Sequence, residues 1–72
     1  MNRTELEYYI NRLGGYKTDD TAFGIEFLLN GIKGNIEKLK YGYYINYNGV
    51  TDYGTKRTVL DVLESFGDGI GL

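Results

Sequence analysis

The sequence predicts a small single domain of the α+β class, and three observations support that prediction. Apolar residues at helical spacing mark one segment near each end of the chain. Aromatic and β-branched residues flank an Asn-Gly pair in the second half, which is typical of a β-hairpin. The chain has 72 residues, the size of one domain, so we expect a single compact unit over residues 1–72.

The first predicted element is a helix over about residues 3–13. Its apolar stripe follows the i, i+3, i+4, i+7 spacing and consists of Leu6, Tyr9, Ile10 and Leu13. Thr4 and Glu7 form a capping-box pattern at its start, and Gly14 can adopt the left-handed conformation that ends a helix. We predict that the polar run after this helix, residues 14–20, is a loop.

The central segment, residues 21–41, has two interpretations that the sequence leaves open. A hairpin turning at Asn30-Gly31 pairs Leu29 with Ile32 and Phe27 with Gly34. Alternatively, two short helices begin at the caps Asp20 and Asn35 and end before Gly31 and Gly42. Either version keeps the domain in the α+β class.

A tyrosine-rich hairpin is predicted next, with strands over about residues 43–47 and 50–53. Asn48-Gly49 suits a type I′ turn, because both central residues of that turn need a positive φ angle. Side chains alternate between the faces of a strand, so Tyr43, Ile45 and Tyr47 share one face while Tyr44 lies on the other.

The last predicted element is a helix over about residues 57–66, packed with the first helix on one side of the domain. Its apolar stripe consists of Val59, Val62, Leu63 and Phe66. Thr58 and Asp61 form a capping pair, and Gly67 is the predicted terminator. Residues 67–72 are predicted to form a flexible, glycine-rich tail.

The residue types present argue against catalysis. The chain has no histidine and no cysteine, which excludes a disulfide framework and a structural zinc site. Asp19-Asp20 is the densest acidic pair, and we interpret it as a helix cap in a solvated loop. We therefore predict a protein that is not an enzyme and has no cofactor and no metal.

No stretch has the length of a membrane span or the pattern of a signal peptide, so we expect a cytoplasmic location and no membrane partner.

The tyrosines are the most informative feature for function. Five of them lie close together in the predicted hairpin region, namely Tyr41, Tyr43, Tyr44, Tyr47 and Tyr53. A small core cannot bury all of them, and exposed tyrosines are enriched at protein interfaces. We predict that these residues bind a protein partner.

The small size and the Asn, Ile, Lys and Tyr content suggest a phage or mobile-element accessory protein that inhibits or modulates a host protein. A homodimer through the same surface is the alternative.

A second functional hypothesis comes from residues 28–42, with the sequence LLNGIKGNIEKLKYG. The motif GIKG, residues 31–34, resembles the Gly-x-x-Gly loop of KH domains. The longer segment, followed by a hairpin, resembles a winged helix-turn-helix. In both families the apolar position after the glycines comes one residue later than Ile36 does here. The resemblance implies a nucleic-acid-binding or regulatory protein in which Lys33, Lys38 and Lys40 contact phosphates and a hairpin tyrosine stacks on a base.

Overall fold

The computed structural model describes the backbone of residues 3–70 and the side chains of residues 3–65. The elements, in chain order, are α1 (Arg3–Arg12), β1 (Tyr16–Asp20), β2 (Gly24–Leu29), β3 (Ile32–Lys38), β4 (Tyr43–Tyr47), β5 (Val50–Gly54) and α2 (Lys56–Ile70). The strands form one five-stranded sheet in sequence order, and each strand is antiparallel to its neighbours. The predicted α+β class is confirmed. No helix within residues 3–70 is long and apolar enough to cross a membrane.

The central segment forms strands, so the version with two short helices is wrong. β2 and β3 form a hairpin in which Leu29 pairs with Ile32 and Phe27 with Gly34, which is the predicted hairpin register. The turn residues Asn30 and Gly31 have φ angles of 55° and 76°. Positive φ at both positions matches a type I′ turn, whose twist fits the flanking strands. The winged-helix resemblance fails for the same reason, because its second helix would fall on β3.

The predicted tyrosine-rich hairpin is present as β4 and β5. Its turn residues Asn48 and Gly49 have φ angles of 52° and 80°, so the two Asn-Gly pairs of the chain adopt the same conformation. The register pairs Tyr47 with Val50 and Tyr44 with Tyr53. The side chains of β4 alternate between the two faces as predicted, since Ile45 and Tyr47 are buried while Asn46 between them is exposed.

Residues 14–20 are not simply a loop, because Tyr16–Asp20 form the edge strand β1. The register pairs Tyr16 with Leu28 and Asp20 with Ile25, and it shifts between Lys17 and Asp19, as in a β-bulge. β1 is exposed along most of its length, so it has no alternation of apolar and polar residues that a sequence pattern could reveal. Asp19-Asp20 therefore lies on a strand and does not cap a helix.

Both helices pack on the same face of the sheet, which we call the helix side. α1 contacts β1 and β2, and α2 contacts β4 and β5. The core between these layers contains Leu6, Ile10, Ile25, Phe27, Leu29, Ile36, Ile45, Tyr47, Val59 and Leu63. At its centre the rings of Phe27 and Tyr47 meet across Gly34, with centroids 5.6 Å apart. A Cβ atom on Gly34 would lie 2.7 Å from Phe27, so glycine is required there.

The C-terminal helix is longer than predicted. α2 runs from Lys56 to Ile70, so Gly67 does not end it. Its start has the reciprocal bonds of a cap, since the Thr58 amide donates to Thr55 Oγ1 and the Thr55 amide donates to Thr58 Oγ1. The predicted flexibility of the tail stays a prediction, and its last two residues, 71 and 72, lie outside the described residues.

Candidate functional site

The face of the sheet opposite the helices is the main candidate surface, and we call it the open face. Within residues 3–65, no helix or strand packs on it. Its residues follow from the strand register and the alternation of side chains: Tyr16, Asp19, Glu26, Leu28, Lys33, Asn35, Glu37, Tyr44, Asn46, Thr51 and Tyr53. All of them are exposed or half-buried. The open face therefore combines aromatic side chains with uncharged and charged polar groups.

Exposed tyrosines cluster at one end of this face, near the connection between β3 and β4. Tyr44 lies directly opposite Tyr53 on the neighbouring strand, and Tyr53 is 55% exposed. A Cβ atom on Gly42 would lie 3.1 Å from the Tyr53 ring and hydroxyl, which shows that the ring lies across this glycine. Tyr41, in the same connection, is 84% exposed. We call Tyr41, Tyr44 and Tyr53 the tyrosine end.

The two remaining tyrosines of the predicted site lie on the helix side. Tyr47 is fully buried, and its hydroxyl donates a hydrogen bond of 2.6 Å to the Leu29 carbonyl. The structure therefore places Tyr47 in the core and away from the surface, which does not favour its predicted contact with a partner. Tyr43 is half-buried and packs against the core, with Lys38 Nζ 5.2 Å from its ring centroid. The two share a face with Ile45, which is the physical reason for their inward orientation.

Other exposed aromatic residues were missed by the sequence patterns. Tyr16, 56% exposed, lies at the opposite end of the open face, opposite Leu28. Phe23, 63% exposed, lies between β1 and β2, and its carbonyl accepts a hydrogen bond of 2.8 Å from the Lys38 amide. This bond places Phe23 near the tyrosine end. Phe23 and Ile25 are two residues apart, so the sequence pattern places both side chains on the buried face of a strand. Nothing in that pattern indicates that Phe23 is exposed.

The three lysines of the nucleic-acid hypothesis do not form one patch. Lys33 lies on the open face, with its Nζ 3.8 Å from Glu26 Oε1. Lys38 lies at the other end of β3 and on the helix side, about 16 Å along the strand at 3.3 Å per residue. Lys40 is exposed in the connection, with its Nζ 5.3 Å from the Tyr41 ring centroid. A single duplex or strand backbone lying on one face would not contact all three.

The open face and the helix side differ in how their charged side chains are paired. Among the described residues of the open face, there are three carboxylates, those of Asp19, Glu26 and Glu37, and one ammonium group, that of Lys33. Among the residues that the structure describes, Glu37 and Asp19 take part in no ion pair, although Asp19 Oδ1 accepts a hydrogen bond of 2.8 Å from the Asp20 amide. The open face therefore carries net negative charge.

On the helix side, acidic and basic groups pair extensively. Lys17 Nζ lies 3.1 Å from Asp20 Oδ1, and this hydrogen bond raises the pKa of Lys17 above its ordinary value. Arg57 lies 3.0 Å from Glu64 and 2.9 Å from Asp61, and its hydrogen bonds to both raise the pKa of its guanidinium group. Among the described residues of this side, Arg12, Lys38 and Asp52 take part in no ion pair, so the carboxylates of Glu7, Asp20, Asp61 and Glu64 are paired while two cations are not.

A groove of about 420 Å³ lies between the two helices. Tyr9, Leu13 and Leu60 are among its lining residues, with Arg12, Lys56 and Arg57 at its polar wall. Two of these cations already contact carboxylates, since Lys56 Nζ lies 3.7 Å from Glu5 and Arg57 pairs as described above. The groove is a cleft between helices and holds no constellation of catalytic groups.

No group of three or more carboxylate, histidine or cysteine side chains in the part of the chain that the structure describes could hold a metal ion. Comparison of the chain with family models, with curated proteins and with solved structures finds no match.

Proposed function

We propose that this protein is a non-catalytic protein-binding module that uses the tyrosine end of the open face. The observation that carries the proposal is the pair Tyr44 and Tyr53, side by side on a sheet face that no described element covers. Buried apolar side chains belong on the helix side, so a core role does not explain Tyr53, which is 55% exposed.

The chemistry of the open face fits a protein partner. Tyrosine supplies a large contact area with few rotatable bonds, so ordering it on binding has a small entropic cost. Asn35, Asn46 and Thr51 form a row across the centre of the face and supply hydrogen-bond donors and acceptors. Tyrosine with small polar residues is the composition of many antibody paratopes. The sheet holds these groups on a rigid backbone.

The wider role that we propose is that of a phage or mobile-element accessory protein that inhibits or modulates a host protein by occupying part of its surface. The small size of the chain and its Asn, Ile, Lys and Tyr content support this proposal. Inhibition by occupation needs no catalytic group in the module, only a surface with sufficient contact area.

A capture experiment with matched variants tests the proposal. Wild type, the double variant Tyr44→Ala/Tyr53→Ala and the control Tyr8→Ala are immobilised and exposed to a lysate of a low-GC bacterium, and retained proteins are quantified by mass spectrometry. Tyr8 is a suitable control because it is 57% exposed but lies on α1.

We expect a retained protein that the double variant loses and the Tyr8 variant keeps. All three proteins should unfold at similar urea concentrations, because Tyr8 and Tyr53 are exposed and the half-buried Tyr44 lies on a face that no described element covers. The same retained proteins on all three surfaces would refute a role for the tyrosine end.

A further inference from the structure

We infer that the partner of the open face presents a positively charged protein surface, with an arginine or lysine that docks against Tyr44 and Glu37. This inference rests on the proposed function and specifies its partner. It follows from the way the fold divides its charges between the two sides of the sheet.

The first step is the uneven pairing of carboxylates. On the helix side, Glu7 and Asp20 contact Lys17, and Asp61 and Glu64 contact Arg57. On the open face, Lys33 pairs with Glu26 and with no other carboxylate of the described residues, and at 3.8 Å with a 71% exposed lysine side chain this pair is weak. Glu37 has no ion pair among the described residues. Its charge is therefore available to a group from outside the chain.

The second step is the position of Glu37. It lies directly opposite Tyr44, which in turn lies opposite Tyr53, so one carboxylate and two phenol rings form a row across three strands. Neighbouring side chains on one face of a sheet lie about 5 Å apart, within reach of a single ligand group. A guanidinium group can stack on a tyrosine ring and donate hydrogen bonds to an adjacent carboxylate at the same time.

The third step excludes other occupants by charge. The phosphates of a nucleic acid would meet the carboxylates of Glu37, Glu26 and Asp19, which repel them. A second copy docked through the same face would bring these carboxylates against each other. A basic protein surface is the macromolecular partner whose charge is complementary.

Nuclear magnetic resonance with a defined basic protein tests the inference. The ¹⁵N-labelled chain is titrated with oxidised cytochrome c at about 10 mM salt, where the Debye length is about 30 Å. We expect amide shifts confined to the open face, around Asn35, Glu37 and Tyr44, that disappear as salt approaches physiological strength. Glu37→Gln should weaken binding about threefold, as expected for loss of one exposed ion pair.

The control is Asp61→Asn, which changes the net charge equally but removes a carboxylate already bound to Arg57. It should leave the position of the shifts unchanged and weaken binding less than Glu37→Gln. Shifts on the helix side, equal effects of the two variants, or no shifts at all would overturn the inference. The capture experiment remains separate: if it succeeds while this titration fails, the protein-binding proposal stands and only the basic partner is refuted.

Discussion

Replacing Tyr47 with alanine should unfold much of the protein, although the sequence grouped this residue with the surface tyrosines. The Tyr47 side chain is fully buried in the core, with its ring centroid 5.6 Å from that of Phe27. Its hydroxyl also donates to the carbonyl of Leu29, at the end of β2. Alanine would therefore remove an aromatic ring from the core and a hydrogen bond between strands at once.

The expected loss in the free energy of unfolding can be taken from substitutions of buried aromatic residues in other proteins. Truncation of a large buried aromatic side chain to alanine costs about 3–5 kcal/mol. At about 0.05–0.15 kcal/mol per residue, a chain of this length has a free energy of unfolding of about 4–11 kcal/mol. Tyr47→Ala should therefore remove between about a quarter of the stability and all of it. Tyr47→Phe keeps the ring and should cost about 1 kcal/mol for the lost hydrogen bond.

Urea denaturation followed by circular dichroism measures these differences. Tyr53→Ala is the matched control, because Tyr53 is a tyrosine of the same hairpin but is 55% exposed. Its midpoint should stay close to that of wild type. If Tyr47→Ala lowered the free energy of unfolding by less than about 1 kcal/mol, the buried position of Tyr47 and the core derived from it would be incorrect.

Three further predictions concern the turn, the sheet edge and nucleic acid. Gly31→Ala should lower the free energy of unfolding by about 1–2 kcal/mol in the same assay, because Gly31 has a φ angle of 76° that alanine rarely adopts. A smaller loss would mean that the turn relaxes. Asp52→Ala should cause concentration-dependent association in light scattering, because Asp52 Oδ1 accepts the outward-facing Tyr53 amide at 2.8 Å. Asp52→Asn retains an acceptor and should stay monomeric, and identical behaviour of both variants would contradict this. Labelled oligonucleotides should show no salt-dependent binding by fluorescence anisotropy. Affinity falling by about 0.9 log unit per log unit of salt for each phosphate neutralised would restore that hypothesis.

The elements with a strong local signal could be predicted from the sequence. The stripe containing Leu6 and Ile10 predicted α1, and the stripe containing Val59 and Leu63 predicted α2, because an amphipathic period reflects burial directly. Asn48-Gly49 predicted its turn, because few residue pairs accept two positive φ angles. Residues 21–41 stayed ambiguous because the spacing of their apolar residues fits both the two-residue period of a strand and the 3.6-residue period of a helix. The pairing of β2 with both β1 and β3 decides between them.

The candidate site was predictable only in part. The concentration of tyrosines was visible, but which of them are exposed depends on the face that the helices cover. Ile45 offered a signal, since an isoleucine in the middle of β4 indicates the inward face, and Tyr43 and Tyr47 share that face. The charge difference between the sides could not be read from the sequence. It depends on contacts between residues that are distant in sequence, such as that of Asp20 with Arg3, whose Nε lies 3.9 Å from Asp20 Oδ1.

The architecture itself favours binding through the open face over binding through an edge. β1 carries a register shift and β5 carries Asp52 on the Tyr53 amide, so each edge strand has a feature that opposes the addition of another strand. The helices cover the other face, and their described charged side chains, apart from Arg12, take part in ion pairs within the helices or with β1. Among the described residues, Tyr44, Tyr53 and Glu37 place two tyrosine rings and a carboxylate without an ion pair side by side on the face that the helices leave uncovered. This is why variants of this row, rather than of the edges or the helices, discriminate best between a binding module and a passive small domain.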